Sequence, residues 1–554
     1  MKLIQEHNRV FLKGGDELVF KNFLKGTLQA LSATVLLFFT LESICLIAGV
    51  PQGASQFAEK VILAENLSAK KPKGEFRIFA YGESTIYGSH YGLVSSPVRW
   101  LEAYLKDFLP GKNIRIVNFG RIGQGSFAVY QTFRDSIAYK PDLAIFYVGH
   151  NGFLPGNRKD EINAEQNSLV FQIRQWSQKS RFISLISKQV VKIRVSQKKK
   201  SLLDERKAIT IEAKPRSINL KYITPRNELF YWENRNFSRH NILNILKWAK
   251  KHRIPVLFLR PICNLKDFSP SYSIHMKKLT PEDLTNWESL YEKGKRSQNG
   301  NKLKEAIHFY TQAYIIDNTF ADLSFRLGQL YWKKGEFREA RRFFEEARDN
   351  DVLITRANQD TLQYFDELAN AGQMNLIETE KVLIPEVPDG ILGNPIIEDN
   401  VHLSLKGHSL VGRLLAQEIA ERDWIAPKKE WHFEKERSYQ EIANQLGINK
   451  QLLIYAYIEM VNYFGSRYSN RIYFAKKALE LEPNNPFALR ALAWTYYLMG
   501  EQGKAFEIYR KLEQLDPHAF EEVVKIQPRV KEFTAKTEFF KARKRAVTEP
   551  LPLI

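Results

Sequence analysis

Three short apolar runs, separated by helical patterns and not by hairpin turns, constrain this chain most. Residues 76–81 (FRIFAY), 113–117 (NIRIV) and 142–148 (DLAIFYV) have strand length and are rich in aromatic and β-branched residues. Between the first two, Ser96 suits a helix N-cap and Pro97 a first helical position. Val98, Leu101, Leu105 and Phe108 then recur at helical spacing. Strand, helix, strand, helix, strand predicts a parallel sheet with helices on its faces. A helical pattern over 240–251 and the run 254–259 (IPVLFL) continue the alternation. Residues just after such strands gather at one sheet edge, where open α/β sheets bind their ligands. Ser84, Gly123 and Asn151 each occupy such a position.

With 554 residues the chain is expected to form roughly three or four domains. Its net charge of +20 is spread out, with one concentration from 188 to 226 that includes Lys198, Lys199 and Lys200. No zinc-finger, RNP or helix-turn-helix pattern accompanies that charge, so no nucleic-acid partner is expected; an anionic membrane or envelope polymer suits it. Residues 158–231 are basic and irregular, read either as a flap over the site or as surface decoration. The two cysteines, Cys45 and Cys263, are not expected to pair, because Cys45 lies inside an apolar segment. No CxxC or HExxH spacing occurs, so neither a metal site nor a cofactor is expected.

That apolar segment, residues 26–50, carries a single charge, Glu42. As a helix it would span about 37 Å, enough to cross a bilayer. Lysines and arginines crowd its N-terminal side, at Lys2, Arg9, Lys13, Lys21 and Lys25. A single-pass signal anchor in the inner (cytoplasmic) membrane is the expectation, with residues 1–25 cytoplasmic and the remainder periplasmic or otherwise extracytoplasmic. A cleaved signal peptide and a buried core helix are the rival readings.

From about 281 to 352 the pattern becomes continuously helical. Gly294, Ala306, Tyr310 and Ala313 are followed, 34 residues on, by Gly328, Ala340, Phe344 and Ala347. That period and that alternation of small and aromatic positions predict inserted tetratricopeptide repeats. After residue 430 weaker repeats follow, marked by Ala475, Ala478 and Pro483, then by Leu492, Tyr496, Gly500, Ala505, Tyr509 and Pro517. The expected organisation is a linker over 51–74, an α/β domain over 75–280 and 353–424 interrupted by the insert 281–352, C-terminal repeats over 430–535 and a basic tail over 536–554.

Four blocks in order carry a family resemblance: Gly82-Glu83-Ser84, the segment from Asn118 through Gly123, Gly149-His150-Asn151, and Asp399-Asn400-Val401-His402. Together they resemble the SGNH hydrolase (GDSL esterase/lipase) superfamily, and a bacterial branch of it with a membrane anchor and tetratricopeptide repeats. The resemblance covers roughly 76–419. It implies a flavodoxin-like three-layer α/β/α domain, Ser84 as nucleophile, Gly123 and Asn151 in the oxyanion hole, and Asp399 and His402 as the D-x-x-H pair. Glu83 stands where the family has Asp, and Gly152 where an acidic residue usually follows the asparagine.

The chemistry these residue types support is acyl transfer through a serine ester. A serine hydroxyl needs a base, for which His402 is the candidate; Asp399 would orient the imidazole. The N–H groups of Ser84 and Gly123 and the amide of Asn151 would stabilise the oxyanion. His408 is a rival base, six residues after His402 and inside a helical pattern. The expected substrate is an O-acyl ester of envelope glycan or lipid. Acyl transfer to another acceptor would use the same residues. The rival from another class is an inactive scaffold that binds protein or peptide partners through its repeats.

Overall fold

The computed structural model describes residues 56–153, 223–465, 467–518 and 521, with scattered residues between 25 and 44. The segment 26–50, apart from those scattered residues, lies outside the described residues; so do most of 158–231 and the tail 536–554. Among the described residues no helix is long and apolar enough to cross a membrane. The chain divides into two compact units. The smaller comprises 1–71, 134–140 and 161–207, and includes helix α1 (Gln56–Ala64). The larger comprises 72–133, 141–160 and 208–554 and holds the sheet, the repeats and the site.

Five strands form that sheet: β1 (Phe76–Gly82), β2 (Ile114–Gly120), β3 (Leu143–Tyr147), β4 (Val256–Leu259) and β5 (Leu376–Ile377). Their order is β2-β1-β3-β4-β5, and every pair is parallel. This is the flavodoxin-like arrangement, in which the order reverses between β1 and β3 and opens a crevice at their carboxyl ends. Side chains alternate along the strands. Ile78, Ala80, Ile145, Tyr147, Leu257 and Leu259 face one core with Trp100, Leu101 and Leu105 of α3 (Pro97–Phe108) and Val411 and Leu415 of a late helix, Leu405–Ala420.

The opposite face is aromatic: Tyr81 stacks on Phe119 and Phe146 at 5.2 Å each, and Phe146 on Phe258 at 4.8 Å. Phe133 of α4 (Ser126–Ser136) and Phe365 of a helix at Gln359–Asn370 close it edge-on. Helices thus cover both faces, as expected of a parallel sheet. The helix before β4, α5 (Leu229–His252), begins eleven residues earlier than the hydrophobic pattern indicates.

Next come α6 (Pro281–Asn299), α7 (Leu303–Ile316), α8 (Ala321–Lys334) and α9 (Phe337–Asp349), two helical hairpins. Thr280 caps α6 by accepting the Asp283 N–H, with Pro281 next to it. The hairpins enclose their own apolar cluster around Trp287, Tyr310, Leu327 and Phe343. A second cluster docks them: Phe325, Phe344 and Ala347 pack with Cys263, Leu265, Ile391 and Val401. Cys263 is a free, buried thiol.

The chain returns through α10 (Gln359–Asn370), β5, α11 (Glu380–Leu383) and α12 (Leu405–Ala420). Five further helices follow among the described residues, α13 (Tyr439–Gln445), α14 (Lys450–Tyr463), α15 (Tyr468–Leu481), α16 (Pro486–Leu498) and α17 (Gln502–Leu515). They share the core of the sheet: Ile442, Met460, Phe474 and Leu492 belong to the same cluster as Ile78 and Leu101.

Candidate active site

Strand β1 ends in Gly82 because no other residue fits. A Cβ there would lie 2.3 Å from the Tyr147 carbonyl oxygen at the end of β3 and 2.9 Å from Ile86. The chain then turns into α2 (Ser84–Tyr87), a single helical turn. Ser84 is its first residue, so its N–H has no intrahelical acceptor. Asn118 ties this turn to β2, donating from Nδ2 to the Ile86 carbonyl (2.8 Å) and accepting the Gly120 N–H (2.8 Å).

The D-x-x-H block owes its spacing to a local turn. Asp399 Oδ1 accepts the N–H groups of Val401 (2.9 Å) and His402 (2.7 Å), an Asx-type arrangement. Its other oxygen, Oδ2, then meets His402 Nδ1 at 2.5 Å. An N–H facing that carboxylate places the imidazole proton on Nδ1 and leaves Nε2 to accept. Nε2 lies 2.6 Å from Ser84 Oγ. Ser84 and His402 are each 7% exposed and Asp399 is fully buried. Burial alone would raise the Asp399 carboxyl, but the charge of His402 and hydrogen bonds from His402 and His90 hold it well below the usual carboxylate range. His408, the rival base, is buried in α12, and burial pushes its imidazole down to about 3; the histidine bonded to Ser84 is His402.

Glu83, beside the nucleophile candidate, performs a separate task. Its buried carboxylate accepts the N–H groups of Gly149 (3.2 Å), His150 (3.0 Å) and Asn151 (3.2 Å). The loop after β3 is therefore braced from the first block. Burial pushes the Glu83 carboxyl up to about 7, against the pull of those three donors. His150 Nδ1 accepts the Ala357 N–H at 3.2 Å, and burial followed by the nearby His402 charge pushes its imidazole down to about 3.

Asn151 Nδ2 donates to the Gln124 carbonyl at 3.0 Å. An amide nitrogen has two hydrogens, so one remains for a substrate oxygen. Gly123 precedes Gln124 with φ +71, the left-handed region that favours glycine. The structure thus joins Ser84, His402 and Asp399 by direct hydrogen bonds, and brings Asn151 to the Gly123 loop through Gln124.

Several contacts had no sequence signal. His90 Nε2 lies 2.9 Å from Asp399 Oδ2, across 309 residues of chain. Tyr463, at the end of α14, sets its ring 5.2 Å from that of His90 and 6.4 Å from that of His402. Tyr91 donates to both oxygens of buried Glu398 (2.6 and 2.7 Å), whose carboxyl burial pushes up to about 8. His90–Asp399 and Tyr91–Glu398 join residues 309 and 307 positions apart, beyond the reach of any periodicity. Among the described residues, His90, Asp399 and His402 are the one group with donor atoms close enough for a metal ion, within 4.8 Å. Both His402 nitrogens are already engaged by Ser84 and Asp399, so a metal there would displace the relay.

The tetratricopeptide repeat family is matched over 300–353 and again over 474–507. No curated protein matches the chain. Among solved structures, a GDSL-like lipase from Bacteroides thetaiotaomicron is similar over 66% of this chain and 99% of its own, with 13% identity and a TM-score of 0.30. A lipase/acylhydrolase from Enterococcus faecalis is similar over 63% of this chain and 96% of its own, at 12% identity and 0.27. A TPR protein with an unusual peptide-binding site is similar over 43% and 90%, at 16% and 0.13. Scores this low decide nothing. The sheet order is that of flavodoxin-like folds, and the residues of the four blocks meet near its carboxyl edge. The resemblance to the SGNH hydrolases holds at the level of the fold.

Proposed function

We propose that this chain is a serine esterase of the SGNH type that hydrolyses O-acyl esters through an acyl-enzyme. One observation carries the reading: Ser84 Oγ, His402 and Asp399 form a continuous hydrogen-bonded line of 2.6 and 2.5 Å at the crevice edge of the sheet. In the first step His402 Nε2 takes the Ser84 proton while Oγ forms a bond to the acyl carbon. The N–H groups of Ser84 and Gly123 and the remaining Asn151 amide hydrogen receive the oxyanion. His402 then returns the proton to the departing alcohol. Water, activated by the same base, cleaves the acyl-enzyme; an acceptor hydroxyl in its place gives transfer.

The apolar segment 26–50 and the lysines before it support an anchor that holds the enzyme outside the cytoplasm, with envelope esters as substrates. Alkaline phosphatase fused after residue 75 would be active under this topology and silent under the reverse one. The matched repeats support docking of a protein or peptide partner.

The test is hydrolysis of p-nitrophenyl acetate and longer acyl esters by the full chain in detergent, beside Ser84→Ala. Loss of at least about 1000-fold in kcat/KM, with fluorophosphonate labelling confined to Ser84, is the expected outcome. Equal rates for the two proteins, with Ser84 unlabelled, would move the assignment to a scaffold.

A further inference from the structure

Asp399 Oδ2 is shared by two imidazoles. His402 Nδ1 reaches it at 2.5 Å and His90 Nε2 at 2.9 Å, while Oδ1 takes two main-chain N–H groups. The carboxylate therefore has four donors. The two rings stand edge to face with centroids 4.8 Å apart. His90 follows Ser84 by six residues, so one short loop supplies both the nucleophile and the second imidazole. Tyr463 of α14 sets its ring against both imidazoles, 5.2 Å from that of His90 and 6.4 Å from that of His402, and donates to Asn400 Oδ1 (3.3 Å).

We propose that His90 is a positioning residue of the esterase site, one that orients Asp399 and lowers the pH at which His402 becomes available as a base. This rests on the esterase reading above. A donor on Oδ2 does two things. It holds the carboxylate plane toward His402, and it draws charge from the oxygen that stabilises the His402 imidazolium. A less stabilised imidazolium loses its proton at lower pH, so the neutral base persists under more acidic conditions.

His90 must be a neutral donor for this. Nε2 faces the Asp399 carboxylate, which favours the tautomer with its proton there, and burial pushes the imidazole down, more than Asp399 pushes it up. The titratable groups facing it are Asp399 and His402 from the fourth block, Tyr463 from α14 and, by charge, His408 from α12. A spectator histidine would be expected at the surface or bonded to main chain; this one is bonded to the acid of the relay.

The test compares His90→Leu, which removes the donor, with His90→Gln, whose amide N–H can occupy the position of Nε2. All proteins are full chain in detergent, with selectively labelled histidine. In His90→Leu, kcat/KM for p-nitrophenyl acetate is expected to fall about tenfold, and its acid limb to move up by about half to one pH unit. His90→Gln restores the acid limb. The His402 ring resonances, followed by NMR through the same titration, move in parallel, and this readout needs no turnover. It is repeated in Ser84→Ala, so that failure of the esterase reading leaves the His90 result standing. A loss of rate in His90→Leu with an unmoved acid limb and an unmoved His402 titration would overturn the proposal and leave His90 a packing residue.

Discussion

Glu83 and Glu398 are buried carboxyls one residue away from Ser84 and Asp399, and both are raised, to about 7 and about 8. A carboxyl raised in the folded protein binds its proton more tightly there than in the unfolded chain. The stability this contributes is complete below about 4.5 and declines as pH rises, until about 7 for Glu83 and about 8 for Glu398. The melting temperature is therefore expected to fall across that window. Glu398→Gln keeps an oxygen for the Tyr91 hydroxyl but cannot titrate, so its profile should be flatter than the wild type's; a parallel profile would assign the fall elsewhere. Residue types at this scale were only partly legible. Ser84, Asp399 and His402 stand in recognisable local patterns. Glu83 reads as a neighbour of the nucleophile, and its bonds to three main-chain N–H groups depend on β1 and β3 lying side by side.

The repeats show the same division at the scale of elements. Gly294 faces Tyr310, where an added Cβ would sit 2.4 Å from the ring; Gly328 faces Phe344 at 2.7 Å. Both pairs are legible as a 34-residue period, because each hairpin solves its packing locally. Gly328→Val should push α8 from α9 and destabilise the chain by about 1–3 kcal/mol in urea denaturation. Gly335→Asn, at a left-handed C-cap with open space around it, should cost a few tenths of that. Unchanged stability in Gly328→Val would contradict the close approach. Helix α5 was less legible. Its N-cap Glu228 makes no side-chain cap bond, Leu229 in its first turn is exposed, and its first buried positions are Tyr231 and Asn234. Neither a capping signal nor an apolar stripe marks its beginning.

Across the whole molecule, the C-terminal helices α13 to α16 continue the core of the sheet. Trp100 of α3 stacks on Tyr439 at 5.0 Å, and Arg437 Nε donates to Asp107 at 2.8 Å. A chain truncated after residue 424 would expose Trp100 and uncover His90 and His402 where Tyr463 stands. It is expected to aggregate or melt without cooperativity, measured by calorimetry against the full chain; a soluble, cooperatively folding fragment with full esterase activity would refute this. By itself the sequence was sufficient for the parallel sheet, the repeat period and the first three blocks at strand ends, because each is written in neighbouring residues: alternation, helical spacing, a tight turn; the fourth block, Asp399 to His402, follows β5 only after a helix and a loop. Only the tertiary structure decided what surrounds Asp399, what braces the loop after β3 and that α14 sets Tyr463 beside the site. Those contacts join segments far apart in the chain, 66 positions from Glu83 to Gly149 and 309 from His90 to Asp399, and their partners are chosen by the closing of a shared core that no local pattern encodes.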